Sequence, residues 1–262
     1  MDKTYTVLLV AQPNAGKSTL FNILTGSRSY VANWPGKTVE VNEGIMEYRG
    51  KKLKIIDLPG IQSLHTLSSE EKLTKEVLFK GTWDAVVILV NAESFHKSLY
   101  FALQVLEITK NAILVINKID SAERKGMNVN ISALQEILGV PVVAISALKK
   151  VGIEDLLNRI LDVVEGKIRT KEIKLNYGRI EKYILEIEKI TGSHGLAVRA
   201  LEIDKDVLSN LNPEDLGHIE KIKEDIKREF GSPPNEIIAM ERYKIVGDII
   251  KKTTAEVKVK RK

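Results

Sequence analysis

The stretch YTVLLVAQPNAGKSTLFNILTG, residues 5–26, decides the fold. Residues 5–10 form a short, mainly apolar run that predicts a buried parallel strand. Residues 11–18, AQPNAGKS, form a loop, and the following STLFNILTG predicts a helix that ends at Gly26. A loop with Gly-Lys-Ser between a strand and a helix is the setting of a Walker A phosphate-binding loop.

The residues of this loop have distinct expected roles. Backbone N–H groups and the helix N-terminus bind phosphates, Lys17 reaches the β- and γ-phosphates, and the Ser18 hydroxyl binds Mg²⁺. The first glycine of the usual pattern is Ala11 here, but that residue ends the strand and its methyl group is small. Gly16, where backbone and phosphate come closest, is present. A strand–turn–helix that contains Gly-Lys-Ser by chance is the alternative.

Three further segments end predicted strands. In DLPG, residues 57–60, the carboxylate can hold Mg²⁺ through a water and the glycine N–H can meet the γ-phosphate. In NKID, residues 117–120, Asp120 can accept hydrogen bonds from N1–H and the 2-amino group of guanine, a donor pair that adenine lacks. In SAL, residues 146–148, backbone N–H groups can bind guanine O6. Because ligands bind at the carboxyl edge of a parallel sheet, the four segments together predict a GTP site.

A second Gly-Lys-Thr occurs at residues 36–38, within VANWPGKTVE. It is not a second phosphate loop, because Val31 stands where that loop has glycine and a strand pattern follows instead of a helix. It lies where a GTPase has the flexible segment that senses the γ-phosphate, so Thr38 is the expected second hydroxyl ligand of Mg²⁺. The predicted nucleotide-binding residues are Ala11, Gln12, Pro13, Asn14, Ala15, Gly16, Lys17, Ser18, Thr19, Gly36, Lys37, Thr38, Val39, Asp57, Leu58, Pro59, Gly60, Asn117, Lys118, Ile119, Asp120, Ser146, Ala147 and Leu148.

Two positions bear on hydrolysis. Ras-like enzymes orient the attacking water with a glutamine directly after D-x-x-G, but that position is Ile61 here, and Gln62 comes one residue late. The side-chain oxygen of Asn14 is expected to help hold a monovalent cation against the phosphates, where the ion stabilises charge as an arginine finger does. A loop-capping hydrogen bond is the alternative for Asn14. The predicted catalytic residues are Asn14, Lys17, Thr38 and Gly60.

Strand and helix patterns alternate up to Gly166. Strands are predicted at 5–10, 39–47, 51–57, 84–91, 111–117 and 140–146, and helices at about 69–80, 95–109, 130–138 and 152–165. The fold class is therefore α/β, a P-loop GTPase fold with a mostly parallel, doubly wound, six-stranded sheet and one antiparallel strand at its edge. Only helical patterns follow. We predict a GTP-binding domain at 1–166 and a small all-helical domain at 167–262.

Composition excludes several classes of function. The 262 residues include no cysteine, so there is no disulfide framework and no thiolate metal site. No apolar run reaches the ~18 residues of a membrane helix, so we expect a soluble, intracellular chain. Residues 167–257 hold 17 basic and 17 acidic residues, which argues against nucleic-acid binding. The last five residues, KVKRK, form a basic tail.

The motifs resemble one family closely. QPNAGKSTLFNILTG, YVANWPGKTVE, DLPGIQSL and NKID look like the cytosolic G domain of the ferrous iron transport protein B (FeoB) family. NWPGxTVE is the most specific of these, because generic GTPases do not share it. The resemblance covers residues 1–165 strongly and residues 167–262 more loosely, where LNYGRIEKYI, LAVRALEID and AMERYKIV are similar to the helical domain of that family.

The resemblance implies more than the motifs do. It implies a helical domain that resembles a guanine-nucleotide-dissociation inhibitor (GDI) and stimulation by K⁺ bound through Asn14. Slow intrinsic GTP hydrolysis is expected from the missing glutamine at position 61. The metal ligands are then Ser18, Thr38 and, through a water, Asp57 for Mg²⁺, with Asn14 for K⁺. It also implies regulation or powering of Fe²⁺ uptake by a polytopic membrane permease domain, normally in the same polypeptide, at the cytoplasmic face of the cell membrane.

Other expectations stay open at the level of sequence. The chain is either part of a longer protein or a lone G-domain protein, and it can form a homo-oligomer. The alternative function is an RNA-associated GTPase of ribosome or tRNA maturation. Such proteins usually carry a basic α/β RNA-binding module after the G domain, which the balanced charge of residues 167–257 does not favour.

Overall fold

The computed structural model describes residues 3–26, 28–34, 40–64, 69–202 and 205–256. The chain divides into two compact units. Unit 1 consists of Met1–Lys171 and Ile249–Lys262, and unit 2 consists of Glu172–Asp248.

Strands and helices alternate along most of unit 1, with three successive strands between its first two helices. Its described strands are β1 (Thr4–Ala11), β2 (Ser29–Asn33), β3 (Glu40–Tyr48), β4 (Lys51–Asp57), β5 (Ala85–Asn91), β6 (Ala112–Asn117), β7 (Met127–Val129), β8 (Val142–Ala144) and β9 (Thr254–Glu256). Its helices are α1 (Lys17–Thr25), α2 (Ser69–Lys80), α3 (Phe95–Leu106), α4 (Ile119–Arg124), α5 (Ile131–Leu138) and α6 (Ile153–Val164).

One sheet in the described part of unit 1 has seven strands, in the order β2-β3-β4-β1-β5-β6-β8. Strand β3 pairs antiparallel with both neighbours, and all other pairs are parallel. Along β1, Val7 and Leu9 share a core with Leu20 of α1 and Ile160 of α6. The intervening Leu8 is also buried, and α3 contacts β5. Because successive strand residues point to opposite faces, both faces are covered, which confirms the predicted α/β class.

The sheet has one strand more than the six predicted. Strand β2 lies at the edge and displaces β3 to the second position. Most residues of β2, including Tyr30 and Val31, are exposed. An edge strand that buries neither face carries no apolar alternation, so the pattern of β2 did not predict a strand.

The division into units differs from the predicted boundary at residue 166. Residues up to Lys171 stay with unit 1, where the Thr170 hydroxyl accepts the Ala112 N–H at 2.8 Å. The chain returns to unit 1 at Ile249, and β9 pairs antiparallel with β7 in a separate two-stranded sheet. Hydrogen bonds to main-chain groups of unit 1 therefore hold both of these segments in that unit. The sequence did not predict β9, because a strand of three residues is too short to show a pattern.

Unit 2 is helical. It holds α7 (Glu181–Thr191), α8 (His194–Leu201), α9 (Lys205–Leu208), α10 (Pro213–Phe230) and most of α11 (Pro234–Thr253). The Asn212 side chain caps α10 by accepting the Asp215 N–H at 2.8 Å, with Pro213 in the first turn. No helix within the described ranges is both long enough and apolar enough to cross a bilayer.

Candidate nucleotide-binding site

The loop of residues 11–18 leads from β1 into α1, as predicted. Gly16 precedes the helix with a φ of 87°, and Asn14 has a φ of 65°. Ser18 is exposed in the first turn of α1. Left-handed residues before a helix N-terminus shape the loop as a concave nest of N–H groups, which suits phosphate.

Ala11, the residue that departs from the Walker A pattern, is fully buried at the end of β1. Its methyl group belongs to the core under α1, and its carbonyl accepts the Ile61 N–H at 3.2 Å. The substitution is therefore accommodated by the core of the sheet, away from Gly16 and the left-handed part of the loop.

Asn117 joins three of the predicted segments, and only 2% of its surface is exposed. Its Nδ2 donates to the Ala15 carbonyl at 2.9 Å, and its Oδ1 accepts the N–H groups of Lys118 at 2.8 Å and Ala147 at 3.0 Å. A Cβ on Gly16 would clash with Nδ2, so the close approach of the loop requires glycine there. The amide thus holds the phosphate loop, NKID and SAL together at the carboxyl end of the sheet.

Lys17 and Asp57, the predicted phosphate and magnesium residues, form an ion pair, and the Lys17 ammonium also contacts the Leu58 carbonyl. They meet because β1 and β4 are parallel neighbours, with Leu9 opposite Asp57. The Asp57 carboxylate and the exposed Ser18 hydroxyl are hard oxygen donors. Mg²⁺ uses one or two such protein ligands beside water and phosphate, so this donor set fits the ion.

The DLPG segment runs beside the phosphate loop. A Cβ on Gly60 would come within 3.5 Å of the Pro13 nitrogen, so the two backbones are close. Ile61 is completely buried, and Gln62 is exposed. The Gln62 carbonyl accepts a hydrogen bond from Gln12 Nε2 at 2.9 Å, a contact that the sequence did not suggest. The residue in the place of the Ras glutamine therefore belongs to the core.

Asp120 lies in the first turn of α4, beside the turn that follows β8. Its carboxylate forms ion pairs with Lys149 at 3.0 Å and with Arg124 at 3.6 Å. A hydrogen bond from Lys149, and next one from Ser146, lowers the pKa of Asp120 below its usual value. The carboxylate is therefore ionised at neutral pH and able to accept hydrogen bonds from a base.

The SAL segment closes a short turn. The Ser146 N–H donates to the Val151 carbonyl at 3.1 Å and the Val151 N–H donates back at 3.1 Å. Since Ala147 donates to Asn117, two of the three N–H groups predicted for guanine O6 have partners within the protein. Leu148, at the tip, is 86% exposed.

Glu93 is a residue near the site that the sequence reasoning missed. It follows β5, and its carboxylate contacts Lys118, Ser121 and Lys125 beside NKID. The signal that could have found it is its place two residues after a buried strand, at the edge where ligands bind.

Some predicted residues lie outside the described part of the chain. These are Gly36, Lys37, Thr38 and Val39, together with the basic residues of 258–262. Within the described part, no group of three or more His, Asp or Glu side chains is arranged to hold a metal ion.

Known families match both units. The family model for ferrous iron transport protein B matches residues 5–160, and the model for the FeoB cytosolic helical domain matches residues 171–255. The Fe(2+) transporter FeoB of Methanocaldococcus jannaschii is 38% identical over 268 residues, which cover 95% of this chain and 39% of that protein. The chain thus spans well under half the length of this relative.

Solved structures agree with these matches. A GDP-bound mutant of the S. thermophilus FeoB G-domain has a TM-score of 0.88 at 29% identity, over 96% of this chain and all of that one. The cytosolic domain of the T. maritima FeoB iron transporter in its GMPPNP form has a TM-score of 0.80 at 32% identity, over 96% of this chain and all of that one. The chain belongs to the ferrous iron transport protein B family.

Proposed function

We propose that this chain binds GTP, hydrolyses it to GDP and phosphate, and in doing so regulates or powers Fe²⁺ uptake through a membrane domain. The observation that carries the proposal is the Asn117 amide, which joins three loops of the predicted nucleotide site. The structural relatives in GDP and GMPPNP forms support the same conclusion.

Asp120 is the proposed guanine-selecting residue. Ionised at neutral pH, its carboxylate can pair with N1–H and the 2-amino group of guanine at the same time. Adenine offers no such donor pair, and it would leave the carboxylate without hydrogen-bond donors, which is costly. The ion pair with Lys149 adds positive charge beside this carboxylate and favours its ionised form.

The phosphate side of the site uses the loop of residues 11–18. Lys17 neutralises charge on the β- and γ-phosphates, while Ser18, Thr38 and, through a water, Asp57 would hold Mg²⁺. When bound, that ion neutralises the charge that develops on the phosphate oxygens. When nucleotide binds, the Lys17 ammonium would give up its ion pair with Asp57 and contact the phosphates instead. Thr38 is expected to matter for GTP and hardly at all for GDP.

Hydrolysis must proceed without a Ras-type glutamine, because Ile61 is buried. Backbone groups such as the Gly60 N–H are then left to position the attacking water. Asn14 is exposed, so its side-chain oxygen is accessible to a K⁺ ion beside the phosphates. Such an ion would supply the positive charge that an arginine finger supplies elsewhere. We expect turnover of ~10⁻⁴ to 10⁻³ s⁻¹ without that ion.

The iron assignment rests on the family. The partners are guanine nucleotide and a polytopic iron-permease domain, with the chain at the cytoplasmic face of the membrane and no nucleic acid involved. The equal numbers of basic and acidic residues, 17 each, in 167–257 support that last point. Fe²⁺ uptake by cells that express the natural gene, with and without Asp120→Ala, tests this part of the proposal.

The direct test has two measurements. Titration with fluorescent GDP and ADP analogues should show guanine preference, and Asp120→Ala should lower GDP affinity by about 100-fold, since a charged pair of hydrogen bonds is lost. Asp155→Ala, which removes an exposed carboxylate of α6, is the control. Equal affinity for the two nucleotides would refute the assignment.

Phosphate release in matched KCl and NaCl then tests the hydrolysis step. K⁺ should raise the wild-type rate, and Asn14→Ala should abolish the difference while GDP binding remains. Gln62→Ala should change little. Equal rates in both salts would remove K⁺ from the mechanism, and a large loss in Gln62→Ala would return the water-positioning role to that side chain.

A further inference from the structure

Glu93 stands at the carboxyl end of β5 in a single helical turn, Ala92–Ser94. The Asn91 side chain accepts the Glu93 N–H at 3.0 Å and so caps that turn. Strands β5 and β6 are parallel neighbours, with Asn91 opposite Asn117. This register brings Glu93 directly to the NKID segment.

Both carboxylate oxygens of Glu93 are engaged there. Oε2 accepts from Lys118 Nζ at 3.2 Å, and Oε1 accepts from Ser121 Oγ at 2.8 Å and Lys125 Nζ at 3.0 Å. Donation from Lys125, then Ser121 and Lys118, lowers the pKa of Glu93 to about 2. The group is therefore an anion at any pH where nucleotide would be bound.

The helix that these contacts hold is weak by itself. Helix α4 has six residues, and Ala122 is its one buried side chain. Lys118 precedes the helix in the left-handed conformation, with a φ of 62°. Isolated helices of this length are not stable in water, so tertiary contacts must fix the helix and, with it, the direction of Asp120.

Contacts on α4 come from two sides. The turn after β8 reaches Asp120 through Lys149 and Ser146, and Glu93 reaches the helix through Lys118, Ser121 and Lys125. We infer that Glu93 is a positioning residue for guanine recognition: it fixes Lys118 and the first turn of α4 so that the Asp120 carboxylate meets both guanine donors. The inference rests on the proposed function and adds a specificity role for a residue outside the four motif segments.

The test uses the whole chain with Glu93→Ala and Glu93→Gln, measured against GDP and IDP, whose base lacks the 2-amino group. Glu93→Ala should weaken GDP binding about tenfold, mainly through faster dissociation. The loss is moderate because each exposed charged contact changes the affinity by no more than about fivefold. It should also shrink the ratio of GDP to IDP affinity, because a misdirected Asp120 no longer reaches both donors. Glu93→Gln keeps the shape and should recover part of both.

The control is Glu165→Ala. Glu165 is a carboxylate of similar exposure, 21% against 29% for Glu93, and it also pairs with two lysines. Those partners are Lys51, at the start of β4, and Lys167, in the segment after α6, so the control removes a matched cluster outside the motif segments. Melting temperatures without nucleotide are recorded for every variant. If Glu93→Ala does not fold, Glu93→Gln decides by the same ratio.

The outcomes separate the two claims. A wild-type chain with no preference for GDP over ADP would overturn the proposed function itself. A wild-type chain that prefers GDP, with a Glu93 variant whose GDP affinity is unchanged or whose GDP and IDP affinities fall by the same factor, would overturn only the role of Glu93.

Discussion

Each of the two units contains a buried polar network. One network bonds to main-chain groups, and the other joins charged side chains. In unit 1 the neutral Asn117 amide binds main-chain groups of three loops, with Lys17, Asp57 and Asp120 around the same edge of the sheet. In unit 2 the Glu202 carboxylate forms ion pairs with Arg242 at 2.6 Å and with Arg199 at 3.1 Å.

Burial separates the two networks further. The side chains of Arg242 and Glu202 are 0% and 1% exposed, and Arg242 Nε also donates to the Tyr177 hydroxyl at 3.0 Å. The loops around Asn117 instead keep Ser18 and Asn14 exposed. The Asn117 network holds loop backbones in place and leaves nearby polar side chains accessible, which suits ligand binding. In the second network the buried charges pair with one another, which suits a structural role.

The largest expected effect is on the charge network. Arg242→Met should lower the free energy of unfolding of unit 2 by about 3 kcal/mol, because the buried Glu202 carboxylate loses one of its cations. Arg228→Met, which removes an exposed arginine of α10, should change it by less than about 0.5 kcal/mol. Urea unfolding followed by circular dichroism measures both variants.

The same variants test the separation of roles. GDP affinity of Arg242→Met, measured at a temperature where the protein is folded, should stay within about twofold of wild type. A change of unfolding free energy below about 1 kcal/mol, or a large loss of GDP affinity in the folded variant, would contradict the division between a structural and a ligand-binding network.

A smaller effect is expected at Gly16. Gly139→Ala adds a methyl group in open space at a φ of 65°, so it should cost about 1 kcal/mol for the left-handed backbone alone. Gly16→Ala has a similar φ but directs the new methyl onto Asn117 Nδ2, so it should cost about twice as much and also lower GDP affinity. Equal stability and equal GDP affinity in the two variants would mean that Asn117 does not hold the loop.

The smallest expected effect is the pH dependence of Glu93. Its folded-state pKa of about 2 lies below the ordinary 4.5, so its contribution to stability is complete above pH 4.5 and is lost as the pH falls toward 2. Thermal melts of the nucleotide-free chain should therefore fall more steeply with pH in the wild type than in Glu93→Gln over that range. Parallel curves would show that the three contacts of Glu93 do not persist in solution.

The sequence predicted the parts of the fold that carry strong patterns. The parallel strands β5 and β6 are buried on both faces and read as continuous apolar runs, so they were predicted to within one residue of their observed bounds. Helix α2 carries a helical pattern and was predicted at its observed bounds. Strand β2 was missed because it is exposed, and β7 and β9 because three residues hold no period.

The motif residues were predictable because their chemistry fixes both residue type and spacing. Asp57 and Asn117 end strands, Asp120 follows β6 by three residues, and Lys17 begins the helix after β1, so the parallel sheet brings all four to one edge. The ion pairs of either unit were not predictable. Glu93 with Lys118 in unit 1, and Glu202 with Arg242 in unit 2, are far apart along the chain and follow no repeated pattern.

One substitution tests whether the Asp120 carboxylate selects guanine. Asp120→Asn replaces a double acceptor by an acceptor and a donor. Xanthine has N1–H as a donor and an oxygen at C2 in place of the 2-amino group, so it matches the amide as guanine matches the carboxylate.

The measurement is the affinity of the wild-type and Asp120→Asn chains for GDP and xanthosine diphosphate. The wild type should prefer GDP and the variant should prefer the xanthine nucleotide, each by more than about tenfold. A variant that keeps its preference for GDP, or that loses both nucleotides equally while its melting temperature is unchanged, would contradict the claim that Asp120 reads the base.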